Sequence, residues 1–256
     1  MGRDSISPLV SANSVKRARH AYFAILTYHR ITDDIDHCDF YDLPWHRFQR
    51  QMALLSAWAS LSPLIELNFD DGTSDHLRVG ELLFKERFQA KFFIVTDWIG
   101  RPGFLTRPQL RALLGFGHTL GSHTVTHARL TTLTDAPLRA ELDRSKKLLE
   151  DLTGSPVTAF AAPGGYLNHR VTQIAYDCGY NTVRSMDWGY NNSFIPRRAL
   201  KTVPIFSSTT DKKFEQILLG EAKFTNFHLK QLAKKMLGED FYIRLRNRVG
   251  SWSRLP

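Results

Sequence analysis

Two short segments of the chain hold residues whose types and spacing could do chemistry together. Asn68-Phe69-Asp70-Asp71-Gly72 places two carboxylates side by side ahead of a glycine. Adjacent carboxylates are costly to bury unless they are paired or bound to a cation. Neighbouring residues on a strand point to opposite faces, so both can serve one site only where the strand ends and the backbone turns. Gly72 permits that turn. A plain acidic turn is the alternative. Ser122-His123-Thr124-Val125-Thr126-His127 places two histidines at i and i+4. If the segment makes one helical turn, both imidazoles share a face and can reach one metal. In an extended strand they would lie roughly 13 Å apart, too far to share an ion. Two unrelated loop histidines are the alternative in a chain that has ten. Taken together, one carboxylate and two histidines make a three-ligand set with positions left for water and substrate. The second aspartate is then free to act as a base, which is the layout of a hydrolytic metal site.

The elements that must hold these segments alternate. Short apolar runs read as strands at 24–28, 64–69, 91–95, 118–122, 157–162, 182–186 and 201–205. Between them lie amphipathic stretches. Thr134–Leu152 is the clearest, with Leu138, Leu142, Leu149 and Leu152 at helical spacing and Gly154 just past its end. Residues 74–88, 107–114 and 171–178 read as further helices. Strand–helix alternation argues for an α/β fold with a parallel sheet and helices outside. Seven strands suggest a barrel one strand short of eight, with ligand-bearing loops at the C-terminal ends of the strands. Both acidic and histidine segments follow strands, as that arrangement requires.

At 256 residues with 43% hydrophobic and 23% charged residues, the composition is that of a globular chain able to bury a large core. Its two cysteines, Cys38 and Cys178, form no metal-type spacing and no disulfide framework. Residues 1–20 are polar and basic, read as a loose arm with no signal peptide, and no run of eighteen apolar residues occurs. The expected location is therefore cytoplasmic. The net charge of +9 is concentrated late, with eleven Lys/Arg against five Asp/Glu from Lys201 onward. Such a balance favours acidic partners, but no nucleic-acid motif accompanies it, so no nucleic-acid partner is expected.

The chain resembles the polysaccharide deacetylase family, also called the NodB-homology family or carbohydrate esterase family four, from about residue 24 to 206. Residues 25–30 (ILTYHR) are similar to its opening strand. Asn68–Gly72 is similar to its Thr-Phe-Asp-Asp-Gly motif, with Asn for Thr, and His123–His127 to its His-Ser/Thr-x-x-His motif. The resemblance implies an irregular (β/α)7 barrel over 21–210, followed by a basic helical extension over 211–256. It implies Asp71, His123 and His127 as ligands of a divalent metal, zinc first among the candidates, and Asp70 as the catalytic base. The implied reaction is removal of an N-acetyl or other N-acyl group from a sugar, so the expected partner is a carbohydrate. Backbone N–H groups around Pro163, Gly164 and Gly165 would stabilise the oxyanion.

The chain also departs from the family pattern. The motif that usually reads Arg-x-Pro-Tyr/Phe-Gly is Ala161-Ala162-Pro163-Gly164-Gly165, without the arginine that pairs with the base. Arg184 could compensate, or be an ordinary arginine at the core edge. Trp188 could wall the sugar or acyl group, or be core. Arg197 or Arg198 resembles a Pro-Arg found before a late strand and could contact substrate. The family's late Leu-x-His acid has no clear counterpart. His228 is the candidate, with His29 and His169 behind it and a returning proton from Asp70 as a further route. In the tail, Phe241, Leu245, Val249 and Trp252 form one apolar stripe flanked by basic residues. It either packs on the barrel, the favoured expectation, or makes a peripheral contact with an anionic membrane. Two other functions compete: an inactive carbohydrate-binding relative, supported by the missing arginine and histidine, and an amidohydrolase acting on a non-sugar amide.

Overall fold

The computed structural model describes residues 22–34, 39–58, 64–192 and 199–225. In chain order the elements are β1 (Tyr22–Tyr28), β2 (Ile31–Thr32), β3 (Leu43–Pro44), α1 (Trp45–Ala57), β4 (Ile65–Phe69), α2 (His76–Lys85), β5 (Ala90–Ile94), α3 (Arg107–Gly115), β6 (Thr119–Ser122), α4 (Asp135–Thr153), β7 (Ala159–Ala161), α5 (His169–Asp177), β8 (Thr182–Trp188), β9 (Asn191–Asn192), β10 (Leu200–Pro204) and α6 (Asp211–Leu218). Seven parallel strands run in the order β1-β4-β5-β6-β7-β8-β10, and β10 pairs back onto β1 to close the barrel. These are the seven strands read from the sequence. The two-residue β9 is an addition, antiparallel to the start of β1.

Strand alternation sorts the side chains. On β4, Leu67 and Phe69 join the apolar layer between sheet and helices, while Asn68 and Glu66 share the other face and a hydrogen bond. That outer layer is aromatic at its centre. Phe69 stacks on Tyr28 and Phe92 with ring centroids 5.1 and 5.0 Å apart, and Phe48 of α1 meets Tyr28 edge-on. Each such fully buried ring contributes about 2 kcal/mol of burial. Inside the barrel, Phe93 packs with Ala159 and Ala161. A Cβ at Gly121 would lie 2.5 Å from the Phe93 ring, so this position admits only glycine.

Helix α4 forms as its leucine spacing predicts, burying Leu138, Leu142, Leu149 and Leu152 and ending at Gly154 with φ 67°. Helix α1 is an element that the sequence reading did not include, although Phe48, Met52 and Leu55 lie on one face and are buried. Helix α6 buries Phe214, Ile217 and Leu218 in the same core as the barrel, because its apolar face has α1 to pack against. His228, Arg198, Arg197, the apolar stripe of 241–252 and the arm of 1–20 lie outside the described residues. Among the described residues, no helix is long and apolar enough to cross a membrane.

Candidate active site

The site stands at the C-terminal ends of the strands. β4 ends at Phe69, and the Asp70 N–H still donates to the Tyr28 carbonyl (3.0 Å), which fixes this carboxylate at the barrel rim. Asp71 and Gly72 follow with φ of 75° and 77°, so the chain turns sharply enough for adjacent carboxylates to face one place. The histidine segment reaches the same place by a different route from the helical turn considered above. Residues 123–127 contain no helix, and Thr124 and His127 take φ of 69° and 64°. These left-handed residues bend an irregular loop until the His123 and His127 rings stand 5.0 Å apart. Positive φ is uncommon outside glycine and costs on the order of 1–3 kcal/mol per residue, so the surrounding structure must impose it. Glu141 of α4 does much of this. Its carboxylate accepts from the N–H groups of Val125 and Thr126 at 2.8 and 2.9 Å and from the Thr126 hydroxyl at 2.8 Å. The His127 N–H donates to Thr124 Oγ1 (3.0 Å), and the Trp98 ring stacks on His127.

The resulting geometry suits a metal ion. Nε2 of His123 and Nε2 of His127 each lie 3.5 Å from Asp71 Oδ1. Ligand atoms around a tetrahedral zinc with ordinary bond lengths are separated by about 3.4 Å. His123 Nδ1–H donates to the Ala161 carbonyl (2.9 Å), which fixes the tautomer and leaves Nε2 free as a ligand. Burial holds the His123 imidazole neutral, lowering its pKa to about 3, and lowers that of His127. Burial also raises Asp71 to about 6, so without a cation this carboxylate is reluctant to ionise. The residues therefore fit a divalent ion, which would supply the charge that burial has withheld.

Asp70 behaves in the opposite way. Burial would raise it, but the Arg184 charge, with smaller contributions from His123 and His29, outweighs burial and leaves Asp70 at about 2. Arg184 donates from one nitrogen to the Asp70 carboxylate and from the other to Thr27 Oγ1 (2.6 Å), which in turn bonds Thr202 Oγ1 (2.6 Å). Its guanidinium also lies 4.7 Å from the centre of the Phe93 ring. In strand register Arg184 is the direct partner of Ala161, the position where the family motif carries its arginine. The arginine has moved one strand sideways at the same level of the barrel. At 3% exposure Arg184 is buried against Asp70.

Pro163–Gly165 forms a tight turn, with Gly164 and Gly165 at φ 58° and 70°. A Cβ on Gly165 would come within 2.0 Å of Met186, so the second glycine is obligatory. The Gly165 N–H donates to the Ala162 carbonyl (2.9 Å) and the Tyr166 N–H to that of Pro163 (3.3 Å). Those two amides close the turn and are not free for an oxyanion. Trp188 ends β8 against Phe206, with ring centroids 5.3 Å apart. His29 follows β1 with its Nδ1 buried and unpartnered, and its ring lies on Tyr41. Glu141, Trp98 and Thr27 were not singled out as site residues by the sequence, because nothing local marks their contacts with the site.

Residues 60–183 match the polysaccharide deacetylase family model. Over that segment, just under half of its length, the chain is similar to that family. Among curated relatives, the peptidoglycan-N-acetylglucosamine deacetylase of Bacillus cereus is 31% identical over 47% of this chain and 55% of that protein. Chitin deacetylase 1 of Cryptococcus neoformans is 32% identical over 46% of this chain and 24% of that protein. The chain thus spans about half the length, or less, of these curated relatives. The structure of the Streptococcus pyogenes deacetylase PplD in complex with acetate matches with a TM-score of 0.69 at 20% identity. It covers 77% of this chain and 98% of that one, a likeness of fold.

Proposed function

We propose that this chain is a metal-dependent deacetylase that hydrolyses the N-acetyl group of an N-acetylhexosamine within a glycan. The observation that carries the reading is the three-ligand set with an ionised carboxylate beside it: Asp71, His123 and His127 share one point, and Asp70 is held charged next to them. The names of the curated relatives, deacetylases of peptidoglycan and of chitin, support a sugar amide over a non-sugar one. A divalent ion on Asp71, His123 and His127, zinc by the softness and number of its donors, would polarise the amide carbonyl and acidify water.

The chain's own groups do the rest. Asp70 takes a proton from the attacking water as its oxygen adds to the carbonyl carbon. Arg184 keeps Asp70 ionised beforehand and fixes its direction through Thr27. The C–N bond then breaks, acetate leaves, and the free amine takes a proton. Two described groups at this site can return it: Asp70 itself and His29, which feels the charges of Asp70 and Asp71 and whose buried Nδ1 has no partner. Retention of the base with all three ligands favours this reading over an inactive sugar binder, which has no use for them.

The test is acetate release from N-acetylglucosamine oligosaccharides by zinc-loaded protein, with and without a chelator. Release that the chelator stops is expected. The Asp70→Asn variant should lose about 10²–10⁴-fold in kcat while binding zinc stoichiometrically. Near-normal turnover by that variant would remove Asp70 from the mechanism.

A further inference from the structure

Asp39–Asp42 makes a β-turn, in which the Asp42 N–H donates to the Asp39 carbonyl at 3.1 Å. Its two corner positions are Phe40 and Tyr41, 55% and 44% exposed. Turn corners ordinarily carry glycine, proline, asparagine or aspartate. Two aromatic rings held in water at such a corner lose the burial that gives aromatics their value in a fold. Among the described residues, Phe40, Tyr41 and Phe84 are the large hydrophobic side chains left exposed. Two of the three thus occupy one turn.

The turn is built to hold them in place. The Asp42 carboxylate accepts from the Asp39 N–H (2.9 Å) and from Arg30, which ties the turn to the end of β1. The Phe40 carbonyl accepts from the Ser207 N–H at 3.2 Å, and Arg47 donates to the Ser207 and Thr209 carbonyls, which ties it to the end of β10. The rings form a continuous surface. Phe40 stacks on Phe206 at 4.3 Å, Trp188 joins Phe206 at 5.3 Å, and Tyr41 leans on His29 at 4.7 Å. His29 directly follows Tyr28, whose carbonyl holds the Asp70 amide. The surface therefore begins beside the catalytic carboxylate and runs outward over the strand ends.

We propose that Phe40 and Tyr41, backed by Phe206 and Trp188, form a second sugar subsite that stacks a neighbouring pyranose of the same glycan. The proposal rests on the deacetylase reading and names its substrate class as an oligomer of N-acetylhexosamine, not the free monosaccharide. A pyranose presents an apolar face of C–H bonds, and rigid aromatic rings match it at little ordering cost. Continuity with the reacting carboxylate argues for the next ring of one chain over a separate ligand.

The experiment uses the zinc-loaded Asp70→Asn protein, in which binding is read by calorimetry without turnover. Probes are N-acetylglucosamine, N-acetylchitotetraose and octyl N-acetylglucosaminide. The tetramer should bind more tightly than the monomer. Phe40→Ala with Tyr41→Ala should weaken the tetramer by about tenfold or more and leave the monomer unchanged. Phe84→Ala, at the exposed ring of α2, should change neither, and zinc stoichiometry should be intact in all variants. Tetramer affinity that survives loss of both rings overturns the subsite, as does a parent that binds the tetramer no better than the monomer. Selective loss of the octyl glycoside with the tetramer unaffected overturns it too, in favour of an apolar aglycone. The two readings separate cleanly. Chelator-sensitive acetate release with ring-independent binding sinks the subsite alone, whereas ring-dependent binding without any acetate release from the Asp70 parent sinks the hydrolase.

Discussion

Two ion pairs belong to strands of the same barrel, one near each end. Near the N-terminal ends of β4 and β5, Lys91 lies 3.1 Å from Glu66, with side chains 21% and 36% exposed. At the other end Arg184 meets Asp70, with side chains 2% and 4% exposed. The charges are alike and the sheet is the same, so the difference lies in solvent. A partly exposed pair is screened and contributes at most about 1 kcal/mol. A buried pair gains little over an apolar substitute, but removing one partner strands a charge. The buried pair is thus a poor device for stability and a good one for keeping a carboxylate ionised where burial alone would protonate it.

The largest effect should come from stranding that charge. Arg184→Met is expected to cost about 3–5 kcal/mol in urea unfolding and to lower kcat by at least about a hundredfold. A methionine variant as stable and active as the parent would erase the difference between the two ends. Acid offers a gentler version of the same break. The folded-state pKa of Asp70, about 2, lies below its ordinary 3.8, so its contribution is complete above pH 4 and is lost as pH falls through 2. That loss should amount to about 2 kcal/mol and be missing from the stability–pH curve of Asp70→Asn.

Its neighbour should respond with the opposite sign. Asp71 has a folded-state pKa raised to about 6, so without metal its contribution is present below its ordinary 3.8 and lost as pH rises through 6. A divalent ion needs the carboxylate and relieves that cost. The rise in Tm on adding zinc should therefore be larger at pH 7.5 than at pH 5, and zinc affinity should fall by about tenfold per pH unit below 6. A pH-independent thermal shift would place the ion elsewhere. Whether position or charge matters in the buried pair can be sharpened by moving it back. Ala161→Arg in an Arg184→Ala background should recover about tenfold of the lost kcat, since the two positions are register partners. The smallest effect is expected at the other end, where Glu66→Gln should change stability by less than about 1 kcal/mol and leave kcat alone.

Much of this was legible in the sequence, for reasons that particular residues show. The seven strands stood out because apolar runs alternate with amphipathic helices, and α4 because four leucines share a face. The ligand set stood out because its residues lie within two short segments. The convergence of those segments was not legible. It depends on left-handed backbone at Thr124 and His127, imposed from outside by Glu141, and nothing local marks a threonine for that conformation. Arg184 could be suspected only through the alanine at 161. Its partner lies 114 residues away, and only closure of the sheet brings them together. Phe40 and Tyr41 carried no signal, because exposure and a turn corner are properties of the folded chain.

The seam between β1 and β10 carries one more consequence, in the order of events during folding. Thr27 and Thr202, which join across it, are 175 residues apart. Contacts that distant form late, because the entropy of closing so long a loop must be overcome before they contribute. Arg184 donates its second hydrogen bond to Thr27 on that seam. A chain still emerging from synthesis can assemble the β4–β7 arc, with its aspartates and histidines, before its base is held. Competence to bind an ion should precede competence to turn over, and refolding followed by both signals should show zinc uptake running ahead of recovered activity.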